Sequence, residues 1–135
     1  MSYTICYISH ADKNLNKVEI EELFDEVTKF NNAHNIKGLL LYGLGNFFQI
    51  LEGEKNLITE LFHENITNDT RHKDIFVVIE KEYKEPIFSE YDSKFNTVKN
   101  SQDLKKLLSY LSENKYKSTH NKLERLMKPF LVAME

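Results

Sequence analysis

The chain has one cysteine, no tryptophan, two prolines and four glycines in 135 residues. A single thiol, Cys6, cannot staple the fold internally, which points to a reducing, cytoplasmic setting. With so few breakers there is no Pro- or Gly-rich linker, and the length supports one domain large enough to fold alone. No apolar run approaches the roughly 18 residues of a membrane-spanning helix, and no basic segment precedes an apolar one at the N-terminus. Secretion and membrane insertion are therefore not expected. Arginine is scarce as well: 16 of the 18 basic residues are lysines, leaving only Arg71 and Arg125. Bidentate readout of phosphates and bases favours arginine, so nucleic acid is not the expected partner.

Catalytic and metal signatures are missing too. There is no His-Glu-x-x-His, no phosphate-binding glycine loop and no Cys-x-x-Cys, and the five histidines are scattered without ligand spacing. Cys6 and His10 could be paired as nucleophile and base, but a core thiol on a strand is the simpler account. The sequence therefore points away from an enzyme and from a metal protein.

Charge is divided unevenly along the chain. Residues 1–95 hold 10 Lys/Arg against 17 Asp/Glu, and residues 96–135 hold 8 against 4. The basic tail is either a solvated lysine-rich helix surface or a docking face for something acidic.

The hydrophobic pattern predicts the order βαββαββ. Tyr3 to Ser9 alternates as a strand. Ile20, Leu23, Phe24, Val27 and Phe30 recur with helical spacing over about Lys17–Asn32. A hairpin follows, Gly38–Tyr42 and Phe47–Glu52, turned at Gly43-Leu-Gly45-Asn46. The second helix is predicted over Glu54–Asn68, with a strand at Ile75–Ile79 and a last one around Ile87–Phe95 after Pro86. Two helices on one face of an antiparallel sheet make an α+β, ferredoxin-like sandwich. Two more amphipathic helices follow Asn96, the first capped by Asn100 or Ser101 and the second ended or kinked at Pro129. Their apolar stripes must cover the free sheet face or a second copy of the chain.

Three polar residues interrupt this core. Asn31 continues the buried stripe of the first helix, Gln49 sits between Phe47 and Leu51, and Tyr7 shares a face with Ile5 and Tyr3. Buried amides without partners cost roughly 1–3 kcal/mol each. The three could satisfy one another. Two amides nonetheless offer more donors and lone pairs than one phenol can use, and the surplus suits a flat heterocycle with alternating carbonyl and N–H edges.

Those residues also carry a resemblance. Asn31-Asn32-Ala-His-Asn-Ile-Lys-Gly38, then Gly45-x-Phe47-Phe48-Gln49-x-Leu51-Glu52-Gly53, then Asp69-x-Arg71-His72 resemble the BLUF family of flavin-based blue-light sensors over about residues 3–95. The spacing from Tyr7 to Asn31 to Gln49, 24 then 18 residues, is similar as well. The resemblance implies a sensor domain over 1–95 holding FAD non-covalently, followed by a helical extension over 96–135. Asn31 would anchor the ring, Leu23 and Ile66 would flank it, and Tyr7 with Gln49 would form the photoswitch. Asn32, Lys29, Asp69, Arg71 and His72 carry over as further cofactor contacts. Lys29 and Asn32 read equally well as a solvated lysine and a helix end, and Asp69, Arg71 and His72 as capping and salt-bridging groups. A flavin, a separate downstream protein and a second copy of the chain are the partners so implied. The last strand departs from the pattern: Tyr91 and Ser93 stand where the family usually has Trp and Met for signal relay. The rival reading is an interaction module of the same ancestry that has lost light sensing.

Overall fold

The computed structural model describes residues 2–85, 87, 88, 91, 94–113 and 118–134. The elements run β1 (Ser2–Ala11), α1 (Lys17–Ala33), β2 (Lys37–Gly43), β3 (Asn46–Gly53), α2 (Lys55–Glu60), β4 (His72–Tyr83), β5 (Phe95–Val98), α3 (Ser101–Glu113) and α4 (Ser118–Met134). The sheet order is β4-β1-β3-β2-β5. This is the α+β, ferredoxin-like arrangement the pattern predicted, with one correction: β5 runs parallel to β2, so the sheet is mixed.

Local chemistry sets the boundaries of α1. Asn16 opens it with a capping box, its side chain accepting from the Glu19 N–H while Glu19 accepts from the Asn16 N–H. Asn35 closes the exit in a left-handed conformation that Asn tolerates, and the Ile36 N–H returns to the Asn31 carbonyl at 2.8 Å. The chain then enters β2 at Gly38. Its φ is +127°, and a Cβ there would lie 1.9 Å from the Ile50 carbonyl oxygen, so only glycine fits.

The sheet separates two apolar cores. On one face Ile5, Tyr7, Leu40, Phe47 and Leu51 pack under α1 and α2 with Leu23, Phe24, Ile58 and Phe62. On the other, Cys6, Leu39, Leu41, Phe48 and Ile50 pack under α3 and α4 with Leu104, Leu111, Leu123 and Met127. The extra helices thus cover the free sheet face of their own chain.

Three further expectations are corrected. The second helix stops being α-helical at Glu60 and widens into a π-helical turn over Leu61–Ile66. The last strand is Phe95–Val98, not Ile87–Phe95; Ile87 and Phe88 lie in a turn because a buried carboxylate takes their N–H groups. Pro129 does not end α4, because apolar Met127 and Phe130 on either side of it are both buried. Ser93 lies outside the described residues. Among the described residues no helix is long and apolar enough to cross a membrane.

Candidate functional site

Tyr7 and Gln49 are direct cross-strand partners on β1 and β3, which aims both side chains toward α1. The Gln49 Nε2–H donates to the Tyr7 hydroxyl. Asn31 comes in from the last turns of α1. All three are buried, with 2% of Tyr7, 2% of Asn31 and 4% of Gln49 exposed. Among the described residues, Asn31 Nδ2 and Gln49 Oε1 are buried without a hydrogen-bond partner. One orphan is a donor and the other an acceptor.

Both lie on a cavity of about 240 Å³ between α1, the sheet and the π-helical turn. Its walls are mostly apolar: Leu23, Val27 and Phe30 from α1, Leu40 and Phe47 from the sheet, Leu61 and Ile66 from the turn. The widened turn matters here, since π-bulges redirect side chains and recur at functional sites.

Polar groups gather at the rim. Arg71 grips Asp69 through Nε and Nη2, at 3.0 and 2.7 Å, and reaches Glu26 on α1 at 3.0 Å. Burial pushes the Asp69 carboxyl up, but the Arg71 hydrogen bonds outweigh it and hold Asp69 below the usual carboxylate range. His72 lies 3.0 Å from the Ser9 hydroxyl through Nδ1 and 3.0 Å from the Ile66 carbonyl through Nε2. A carbonyl can only accept, so Nε2 carries the proton and Nδ1 accepts from Ser9. Burial pushes the His72 pKa down, which keeps the ring neutral. Burial likewise pushes the Tyr7 phenol up, against a smaller opposing effect of the Gln49 hydrogen bond.

The structure therefore brings together Tyr7, Leu23, Asn31, Gln49, Ile66, Asp69, Arg71 and His72 around one cavity. It does not bring Lys29 or Asn32 to the cavity lining. Lys29 is exposed, and Asn32 Oδ1 accepts from the Phe95 N–H at 2.8 Å, fixing the start of β5. Tyr91 lies away from the cavity, packed against Phe88 and Tyr110. Sequence reasoning passed over Glu26, Phe30 and Asn65, which also line the space. Phe30 lies in the apolar stripe of α1 and so reads as core from the sequence; Asn65 carries no signal there.

A cavity with apolar walls and a stranded donor and acceptor at its end belongs to a binding domain for a flat, polar-edged ring. A family model described as "BLUF: Sensors of blue-light using FAD" matches residues 2–94, and the chain belongs to that family. FAD is the family's cofactor, and the donor-plus-acceptor pair left over in the cavity fits the carbonyl and imide edge of its ring. The BLUF domain itself is a sensor and not an enzyme.

The curated relatives include photoactivated adenylate cyclases. The beta subunit of Euglena longa is 35% identical over 75 residues, covering 56% of this chain and 9% of that protein. The alpha subunit of Euglena gracilis is 36% identical over 75 residues, covering 56% and 7%. The chain thus spans less than a tenth of these relatives. Among solved structures, the photo-activated state of BlsA is 25% identical with a TM-score of 0.66, covering 98% of this chain and 96% of that one. BlrP1 of Klebsiella pneumoniae in its calcium/cy-diGMP complex is 26% identical with a TM-score of 0.63, covering 73% and 24%. The dark-state structure of BlrB, 21% identical with a TM-score of 0.65, shares the fold over 97% of this chain.

Proposed function

We propose that the chain senses blue light through a hydrogen-bond switch formed by Tyr7 and Gln49 beside FAD. The observation that supports it most is the mismatch at Gln49: Nε2 is spent on Tyr7 while Oε1, buried, has no partner among the described residues. An amide can exchange its donor and acceptor ends at nearly constant shape. In the present orientation Gln49 offers an acceptor to the cavity; reversed, it offers a donor to the cavity and an acceptor to Tyr7. Two orientations close in energy make a switch element.

The FAD supplies a ring that absorbs blue light and accepts an electron. Tyr7 is a neutral phenol whose proton is not spent on Gln49, so it could give an electron and a proton together to that ring and take both back. Asn31 holds the ring edge through its unpaired Nδ2, with Leu23 and Ile66 on either side of the ring. Asp69, Arg71 and His72 border the rim, with Asn32 and Lys29 as outlying contacts. Residues 1–95 act as the sensor and 96–135 as the helical extension that carries output. That output goes to a separate protein or to a rearrangement of a homo-oligomer, in a cytoplasmic setting.

Purified protein loaded with FAD should show a flavin band that moves slightly to the red under blue light and recovers in darkness. Gln49→Leu and Tyr7→Phe should abolish the reversible shift while FAD stays bound. A shift that persists in both variants, or protein that cannot be loaded with FAD, refutes the switch. Size exclusion in light and darkness tests the oligomer.

A further inference from the structure

Glu52 is the buried carboxylate that the switch does not use. It is 1% exposed and lies three residues after Gln49 on β3, so it points to the opposite face of the sheet. Its cross-strand partner is Thr4, just as Tyr7 is the partner of Gln49. Among the described residues three groups hydrogen-bond to it: the Thr4 hydroxyl at 2.8 Å, the Ile87 N–H at 2.7 Å and the Phe88 N–H at 3.0 Å. Burial pushes the Glu52 carboxyl up, against the opposing pull of these same hydrogen bonds, so the three contacts are what hold a carboxyl at this depth.

The chain of contacts continues outward. The Ile87 carbonyl accepts from the Tyr110 hydroxyl of α3 at 2.8 Å. Ile87 and Phe88 are buried in the core shared with α3 and α4, where Phe88, Tyr91 and Tyr110 form one aromatic group. At its other end this segment is fixed by Asn32, neighbour of Asn31, through the Phe95 N–H. Both ends of residues 87–95 are thus tied to a strand or helix that carries a cavity residue.

We propose that Glu52 is a positioning residue for output: it hangs the 87–88 turn on β3, and Tyr110 hangs α3 on that turn. The inference rests on the light-sensing reading above. A displacement of β3 that accompanies a change at Gln49 has two consequences open to it. Either the turn and α3 follow, or hydrogen bonds to a buried carboxyl break and leave polar atoms of the core unpaired, which is costly. Following is the cheaper response. This route crosses the sheet by way of backbone groups and does not depend on which side chain stands at position 91.

The test is amide exchange on the full, FAD-loaded chain in darkness and under blue light. Wild-type protein should show a light-dependent change of exchange within residues 101–113. Tyr110→Phe, which keeps the ring and removes the hydrogen bond to the Ile87 carbonyl, should retain the red shift and reduce that change by about two- to tenfold. Glu52→Gln should do the same and speed exchange at Ile87 and Phe88. If Glu52→Gln does not fold, Thr4→Val with Tyr110→Phe gives the same readout. A red shift with no α3 response in the wild type, or a full response in Tyr110→Phe, overturns the relay and leaves the sensor standing. Absence of any red shift in the wild type overturns both.

Discussion

On the face covered by α1 and α2, Asn31 and Gln49 are buried with polar atoms left over. On the face covered by α3 and α4, Glu52 is buried with both carboxylate oxygens committed to three donors. Burial of a polar side chain is therefore not what marks the ligand site; a deficit of partners at groups that face a cavity is. The first face also keeps a cavity, whereas Leu104, Leu111, Leu123 and Met127 on the second are completely buried. One side of the sheet thus carries the unpaired groups that FAD would complete, and the buried carboxylate on the other already has its partners.

The sharpest way to break this contrast is the same truncation on both faces. Leu111→Ala should lower stability by about 2–5 kcal/mol, because it opens a new cavity in a closed core. Leu23→Ala borders space that already exists and should cost less than about 2 kcal/mol without FAD. Denaturant melts of the FAD-free protein measure both. Equal losses would mean that the two cores are equally closed.

Next in size is the response of an orphaned donor. Asn31→Ala removes an amide whose Nδ2 makes no hydrogen bond, so the FAD-free protein should change by less than about 1 kcal/mol. FAD affinity should fall about tenfold, since about 1.4 kcal/mol of edge contact is lost. A large loss of stability with unchanged affinity would make Asn31 a structural residue.

The two faces were not equally legible in the sequence. Asn31 and Gln49 stood out because each interrupts an apolar period, and Tyr7 because it shares their face. Glu52 gave no such signal: it ends a strand before a glycine, where a charge is unremarkable. Besides the Thr4 hydroxyl, its partners are backbone N–H groups 35 and 36 residues away, and backbone groups are invisible in a sequence pattern. The same blindness misplaced β5. Ile87, Phe88 and Tyr91 have strand-forming side chains, but Glu52 and Asn32 decide which N–H groups are free for pairing. Pro129 misled for a related reason, since burial of Met127 and Phe130 overrides the local cost of proline.

A smaller effect separates the faces by pH. His72 borders the cavity, and burial holds its pKa below the ordinary value of about 6.5. The unfolded chain therefore takes up a proton that the folded state resists, so this contribution to stability is full above that value and declines as pH falls below it. Thermal melts from neutral pH down to about 5 should show the decline, and His72→Gln should flatten it. Asp69, held low by Arg71, adds a further loss only as pH falls below about 3.9, the ordinary aspartate value. A decline unchanged in His72→Gln would place the responsible group elsewhere.

The smallest predicted effect concerns Lys29, which is exposed on α1 and makes no part of the cavity wall. If it assists FAD, it does so as a solvated point charge toward the phosphates, a contribution of about 1 kcal/mol or less. Such a term is screened over about 10 Å at 0.1 M salt and over about 3 Å at 1 M. Lys29→Ala should thus weaken FAD binding by no more than about fivefold at low salt and leave it unchanged at high salt. Riboflavin, which lacks phosphate, should bind both proteins equally at either salt. Titrations of the two flavins at the two salts separate the cases. A loss shared by riboflavin would mean that Lys29 acts on the cavity through α1, and the division between a built interior and a merely charged rim would have to be redrawn.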